Sequence, residues 1–184
     1  MFFSFFLTFL AFFCHNNSEK EIMFNIDDLV IHTREGLAKI ISSTSMGDKE
    51  YFLVKVYRGS GETIYVPIDS AINIIRPIMN EEEADNLLFY MKNIKEEFNS
   101  NTKQRRDSFK KRLSSGNVRD IAYLTRQKYF YELANKDEIT YKLGPMDVDM
   151  LQYAEDILFD EFALSYSIER NNVQIFINDK INRL

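Results

Sequence analysis

The chain has 184 residues, with 23 basic and 28 acidic side chains for a formal net charge of −5, and 45% of its residues are hydrophobic. That is enough for one good core or two small ones, and the acidic balance excludes a protein that coats nucleic acid through a broad positive field. One cysteine, Cys14, excludes an intramolecular disulfide, and with only His15 and His32 there is no Cys/His set at metal-ligand spacing.

The opening stretch, Met1 to Phe13, is apolar apart from Ser4 and Thr8. It is too short to cross the roughly 30 Å hydrocarbon layer as a helix. It also lacks a basic residue before the apolar run, and Phe12 and Phe13 stand where a signal-peptide cleavage site needs small side chains. Met1–Ile22 therefore reads as an upstream extension or appendage ahead of a domain that starts at Met23. Membrane tethering or export is the other reading.

From Phe24 to Met79 the pattern is one of short strands. Leu29–His32, Leu37–Thr44, Tyr51–Tyr57, Thr63–Ile68 and Ile72–Ile75 are rich in β-branched and aromatic residues and are separated by Glu35-Gly36, Met46-Gly47-Asp48 and Gly59-Ser60-Gly61. Short strands at this spacing predict a small barrel. Pro67 cannot donate to a ladder, so the fourth strand should end or reach an edge there.

After Pro77 the period lengthens. Asn80 is placed to cap a helix with Glu83 reaching back, and Glu81, Glu82 and Glu83 suit its positive end. Ala84, Leu87, Leu88, Met91, Ile94 and Phe98 form its apolar face. A helix over Thr102–Leu113 would put Lys103, Arg106 and Lys110 on one side and turn Phe109 and Leu113 inward. Gly116 closes that segment and Asn117 caps the next, whose expected stripe is Val118, Ile121, Ala122, Thr125, Tyr129 and Leu133. A further helix follows Gly144-Pro145 with Leu151, Ala154, Leu158 and Phe162. The last carries Val173, Phe176, Ile177, Ile181 and Leu184.

Nothing in the chain has the makings of a catalytic centre: no nucleophile with a base, no paired carboxylates in an evident cleft, no metal set. His32 ends a strand without a partner and reads as a structural or surface histidine. No Gly-rich loop followed by lysine and serine or threonine is present to cradle phosphate. No enzyme activity and no cofactor are expected.

The local charge is the clearest signal. Residues 101–130 hold nine basic side chains (Lys103, Arg105, Arg106, Lys110, Lys111, Arg112, Arg119, Arg126, Lys128) against Asp107 and Asp120, a local +7 that leaves −12 for the rest. Such segregation suits a face that contacts phosphates. The competing reading is a solvated helix face balanced by Asp156, Asp160 and Glu161.

The order of these parts resembles the CarD/CdnL family of bacterial transcription regulators. The resemblance rests on FNIDDLVIHTREGLAKI, KEYFLVKV, the VPI at Val66–Ile68, Arg76, and RLSSGNVRDIAYLTRQ. It implies an α+β protein, with a Tudor-like (SH3-like) β-barrel over residues 23–79 and an all-helical domain over 80–184. In such proteins the barrel docks on the β subunit of RNA polymerase. The helical domain touches promoter DNA at the upstream edge of the melted region and stabilises the open complex.

Read this way, Lys103, Arg105, Arg106, Lys110, Arg112, Arg119 and Arg126 are the expected DNA contacts. Tyr57, Arg58, Tyr65, Val66 and Pro67 are the expected polymerase contacts. The implied location is cytoplasmic, on the nucleoid through polymerase, with no membrane association. A related β-module occurs in transcription-repair coupling factors, but this chain is too short for their helicase and lacks its phosphate loop.

Three departures bear on mechanism. The family's minor-groove tryptophan falls on Thr102, beside Arg105, and the chain has no tryptophan at all. A threonine cannot wedge between bases as an indole does. The helix after Pro145 carries Asp147, Asp149, Glu155 and Asp156, which should repel phosphate. Tyr65 stands where some relatives carry arginine, so docking would lean on aromatic contacts and strand-edge pairing. A protein-only interaction module, with no DNA contact, is the alternative.

Overall fold

The computed structural model describes residues 24–59, 61–97, 99–136 and 143–184. The expectations for Met1–Ile22, for a start at Met23 and for Phe98 lie outside the described residues.

Five strands, β1 (Leu29–His32), β2 (Gly36–Met46), β3 (Lys49–Val56), β4 (Thr63–Pro67) and β5 (Ile75–Pro77), form one antiparallel sheet in the order β4-β3-β2-β1-β5. Alternation fixes the register: Ala38 and Ile40 on β2 and Phe52 and Val54 on β3 turn to one side. They are buried with Val30, Val66, Ala71 and Ile75. Gly47, at φ +62, makes the tight connection between Met46 and Lys49, which pair across the hairpin. A register shift between Ile40 and Ser42 bends this long hairpin.

β4 ends at Pro67, as the missing N–H predicts, and among the described residues it pairs with β3 alone. The fifth strand differs from expectation. Ile72 and Asn73 belong to a 3-10 helix, Ile68–Asn73, and the strand proper is Ile75–Pro77. The chain must cross from one sheet edge to the other, and this tight turn, closed by the Ile74 N–H on the Ala71 carbonyl at 2.8 Å, makes the crossing.

Among the described residues five α-helices follow: α1 (Glu81–Lys92), α2 (Thr102–Ser114), α3 (Val118–Lys136), α4 (Pro145–Ser165) and α5 (Val173–Arg183). The Asn80/Glu83 capping box forms in both directions at 2.9 Å. Asn101 caps α2 by accepting from the Gln104 N–H, and Asn117 caps α3 by accepting from the Arg119 N–H. Leu88, Leu124, Leu151, Ala154, Leu158, Phe162 and Val173 form the centre of the helical core, and Met79 is buried among them. Leu133, expected in the α3 stripe, is 39% exposed, while Leu124 is fully buried. Leu124, Ile121 and Lys128 share one α3 face, and α4 packs against it.

The two cores are joined closely. Arg58, after β3, reaches Asp160 (2.6 Å) and Asp156 (3.2 Å) on α4, and Arg170 grips the same two carboxylates. The Tyr153 hydroxyl donates to the Arg34 carbonyl at 2.6 Å. Gly36 sits at φ +75 where a Cβ would come 2.9 Å from Ile157 Cγ1, so only glycine lets α4 approach this turn.

Candidate nucleic-acid and polymerase interfaces

On α2 the basic residues sort into three environments. Lys103, Lys110 and Lys111 are exposed along its crest, and Arg119 is exposed at the start of α3. Among the described residues, none of these four is ion-paired. Arg106 and Arg112 are half-buried and committed: Arg106 to Asp147 at 3.2 Å, Arg112 to Asp120 at 2.5 Å and over the Tyr123 ring at 3.9 Å. Arg126 is half-buried across the faces of Tyr129 and Phe130.

Arg105 corrects the expectation most sharply. Its side chain is 5% exposed, donating to the Asn99 carbonyl (2.7 Å) and to the Asp147 carboxylate (2.8 Å). It lies 200° around α2 from Lys103 by the 100° step of a helix, which points it into the core rather than along the crest. Arg105 is a structural cation here. Lys128 is likewise internal, held by Glu132 and Glu155. The burial that disfavours its charge is outweighed by these two carboxylates, which raise its pKa.

The acids of α4 follow the same logic. Asp147, fully buried, accepts from Arg105, Arg106 and the Gly144 N–H. Burial pushes its pKa up, but those donors hold it below the usual carboxylate value. Glu155 faces Lys128, and Asp156 faces Arg58 and Arg170. These three carboxylates are neutralised within the protein, which leaves Asp149, exposed and not ion-paired among the described residues, as the one of the four expected acids that still presents its charge to solvent. Nor do Asp156, Asp160 and Glu161 balance the crest of α2, because their partners are Arg58, Arg170 and Arg76.

On the sheet, Tyr57 (54% exposed) and Tyr65 (52% exposed) stand out, and Tyr65 meets Tyr51 edge to face at 6.5 Å. Pro67 is half-buried at the end of β4. Two expected polymerase contacts are placed otherwise. Val66 is wholly buried in the sheet core, because alternation along β4 sends its side chain opposite to Tyr65. Arg58 is spent on Asp156 and Asp160. The outer edge of β4 carries no partner strand among the described residues.

His32 is structural: it is 7% exposed, and its Nδ1 accepts the N–H groups of Arg34 and Glu35 at 3.2 Å each. No helix among the described residues is long and apolar enough to cross a membrane.

The sheet thus displays two exposed tyrosines beside an open strand edge, and α2 with the start of α3 displays four exposed cations without an ion pair among the described residues. Residues 24–79 match the family model for the CarD-like/TRCF RID domain, and residues 86–178 match that for the CarD C-terminal domain. The chain belongs to the CarD/CdnL family and is a transcription regulator that interacts with RNA polymerase. The domains it carries are regulatory rather than enzymatic.

Sequence reasoning missed the α4 acids as internal counterions, and the pairing of Arg76 with Glu161. It also passed over Tyr90 and Tyr123, which lie under Arg119 and Arg112. No local spacing announces these, since each joins different elements.

Proposed function

We propose that the β4 edge, with Tyr57, Tyr65 and Pro67, docks on the β subunit of RNA polymerase while the α2 crest and Arg119 contact promoter phosphates, stabilising the open complex. The observation that carries this is that Lys103, Lys110, Lys111 and Arg119 are exposed and not ion-paired among the described residues, in a chain whose net charge is −5. Such a patch acts over about a Debye length and needs polymerase to hold it at the promoter. The protein would then reside in the cytoplasm, on the nucleoid through polymerase. Residues 23–79 and 80–184 serve as the two working units.

The test is the affinity of the full chain for polymerase, with and without a promoter fragment, across a salt series. Binding that tightens with promoter, more so at low salt, supports the bridge. Lys103→Ala combined with Lys110→Ala should lower the salt slope by about two. Equal binding with and without promoter would favour the protein-only module, a reading supported by the burial of Arg105.

A further inference from the structure

The turn between β1 and β2 lies directly against the loop between α2 and α3. Gly116, at φ +68, has no room for a side chain: a Cβ there would come 2.8 Å from the Cβ of Thr33 and 2.9 Å from its Cγ2. The turn is also fixed from its other sides. The Thr33 N–H donates to the Ile74 carbonyl at 2.9 Å, Nδ1 of His32 accepts from the Arg34 and Glu35 N–H groups, and the Arg34 carbonyl accepts from the Tyr153 hydroxyl on α4. What this backbone presents to solvent is the Arg34 side chain, which is exposed and, among the described residues, not ion-paired.

The loop that Thr33 touches joins the exposed cations of the helical unit. Lys110 and Lys111 precede it on α2, and Arg119 follows it on α3. Across the same loop Arg112 and Asp120 cancel each other, and Glu35, half-buried, is the one acid on the turn itself. The joint is therefore positive on balance, and Arg34 adds to it from the sheet unit. A duplex carries a phosphate charge for about every 1.7 Å of its axis, so a backbone that runs along α2 and past Gly116 meets the turn next. Arginine suits such a contact, since its apolar stem carries the head outward and its fork donates two parallel N–H groups to phosphate oxygens.

We propose that Arg34 contacts a backbone phosphate of duplex DNA, so that the phosphate-binding patch spans both units of the protein. The proposal rests on the reading that the α2 crest meets promoter DNA and adds to it a residue of the sheet unit. DNA then touches the same unit that docks on polymerase, and the contact at Arg34 needs no base sequence and no inserted side chain.

The experiment measures binding of the full chain to a labelled promoter duplex across a salt series. Arg34→Ala should lower the salt slope by about one, to the same extent on duplexes of different sequence, and Arg34→Lys should keep the slope of the wild type. Lys49→Ala removes an equal charge across the hairpin from the far end of the 11-residue β2, and it should leave the slope alone. A slope unchanged by Arg34→Ala but lowered by Lys103→Ala with Lys110→Ala overturns the Arg34 contact and leaves the crest reading standing. A slope that neither set moves removes the crest reading and Arg34 with it. Equal falls for Arg34→Ala and Lys49→Ala would trace the effect to net charge acting at a distance. Loss of polymerase affinity without promoter, at an unchanged DNA slope, would give Arg34 to an acidic surface of polymerase. Either of these last two results also overturns the contact.

Discussion

Arg76 on β5 and Glu161 on α4, 85 residues apart in sequence, meet in a two-toothed ion pair at 2.5 and 2.7 Å. Glu161 is fully buried and also accepts the Met79 N–H at 3.1 Å, so one carboxylate ties the end of the sheet, the chain leaving it and the longest helix. A carboxylate this deep is stable only because three donors surround it. Together with Arg58 on Asp156 and Asp160, the pair fixes the β4 edge relative to the α2 crest.

Glu161→Gln keeps the shape but leaves Arg76 without its counter-charge. The expected loss is about 3 kcal/mol in urea unfolding, the low end for a broken buried pair because Arg76 retains some contact with water. A loss below about 1 kcal/mol would mean that the two units hold together without it. On the proposed bridge, polymerase binding with promoter depends on the same alignment and should fall with it.

Asp147 supplies the corresponding test inside the helical unit. Asp147→Asn should cost about 3 kcal/mol, since it takes the carboxylate out of a buried ion pair that both Arg105 and Arg106 reach. The native carboxyl titrates below its unfolded value of 3.8, so its contribution is present above that pH and is lost as pH falls through the native pKa. The difference between wild type and variant should therefore be flat from neutrality to about pH 5 and narrow in stronger acid. A difference that persists unchanged to pH 2 would assign the effect to packing instead.

Much of this fold could be read from local pattern, because its causes are local. The Asn80/Glu83 box, the Gly47 hairpin, the end of β4 at Pro67 and the apolar face of α4 each follow from residues within a few positions of one another. The candidate site was less legible. Arg105, Lys128 and Arg58 look like surface cations in their own windows, and what buries them is a carboxylate 42 residues on for Arg105, 27 for Lys128 and 102 for Arg58. The burial of Val66 was hidden for a simpler reason: the VPI motif marks a strand, and the pleat decides which of its residues faces inward. The 3-10 turn at Ile68–Asn73 was hidden because its isoleucines have the composition of a strand.

His32 gives the second pH prediction, with the opposite origin. Burial lowers its pKa below 6.5, and the neutral Nδ1 is the acceptor that closes the turn over Arg34 and Glu35. Between the native pKa and 6.5 the unfolded chain binds more protons than the native one, so stability rises with pH through that window. The His32 contribution is complete above about pH 6.5 and is lost on acidification. Urea unfolding at pH 7.5 and pH 5.5 should show a fall in the wild type that His32→Asn reduces. An equal fall in both would place the acid sensitivity elsewhere.

Tyr65 and Val66, neighbours on β4, separate binding from folding. Tyr65→Ala and Tyr57→Ala remove exposed rings, so urea unfolding should move by no more than about 0.5 kcal/mol. If the β4 edge is the docking surface, each should weaken polymerase binding by about tenfold, the usual scale for an interfacial tyrosine, and leave the salt slope on DNA unchanged. Val66→Ala should do the reverse, costing about 1–3 kcal/mol of stability through a lost core contact while native chains bind polymerase as before. Binding that ignores both tyrosines would move the docking surface away from β4. Binding that fails only with Val66→Ala would show that the edge acts through its backbone, which the sheet core holds in register, and not through the side chains it displays.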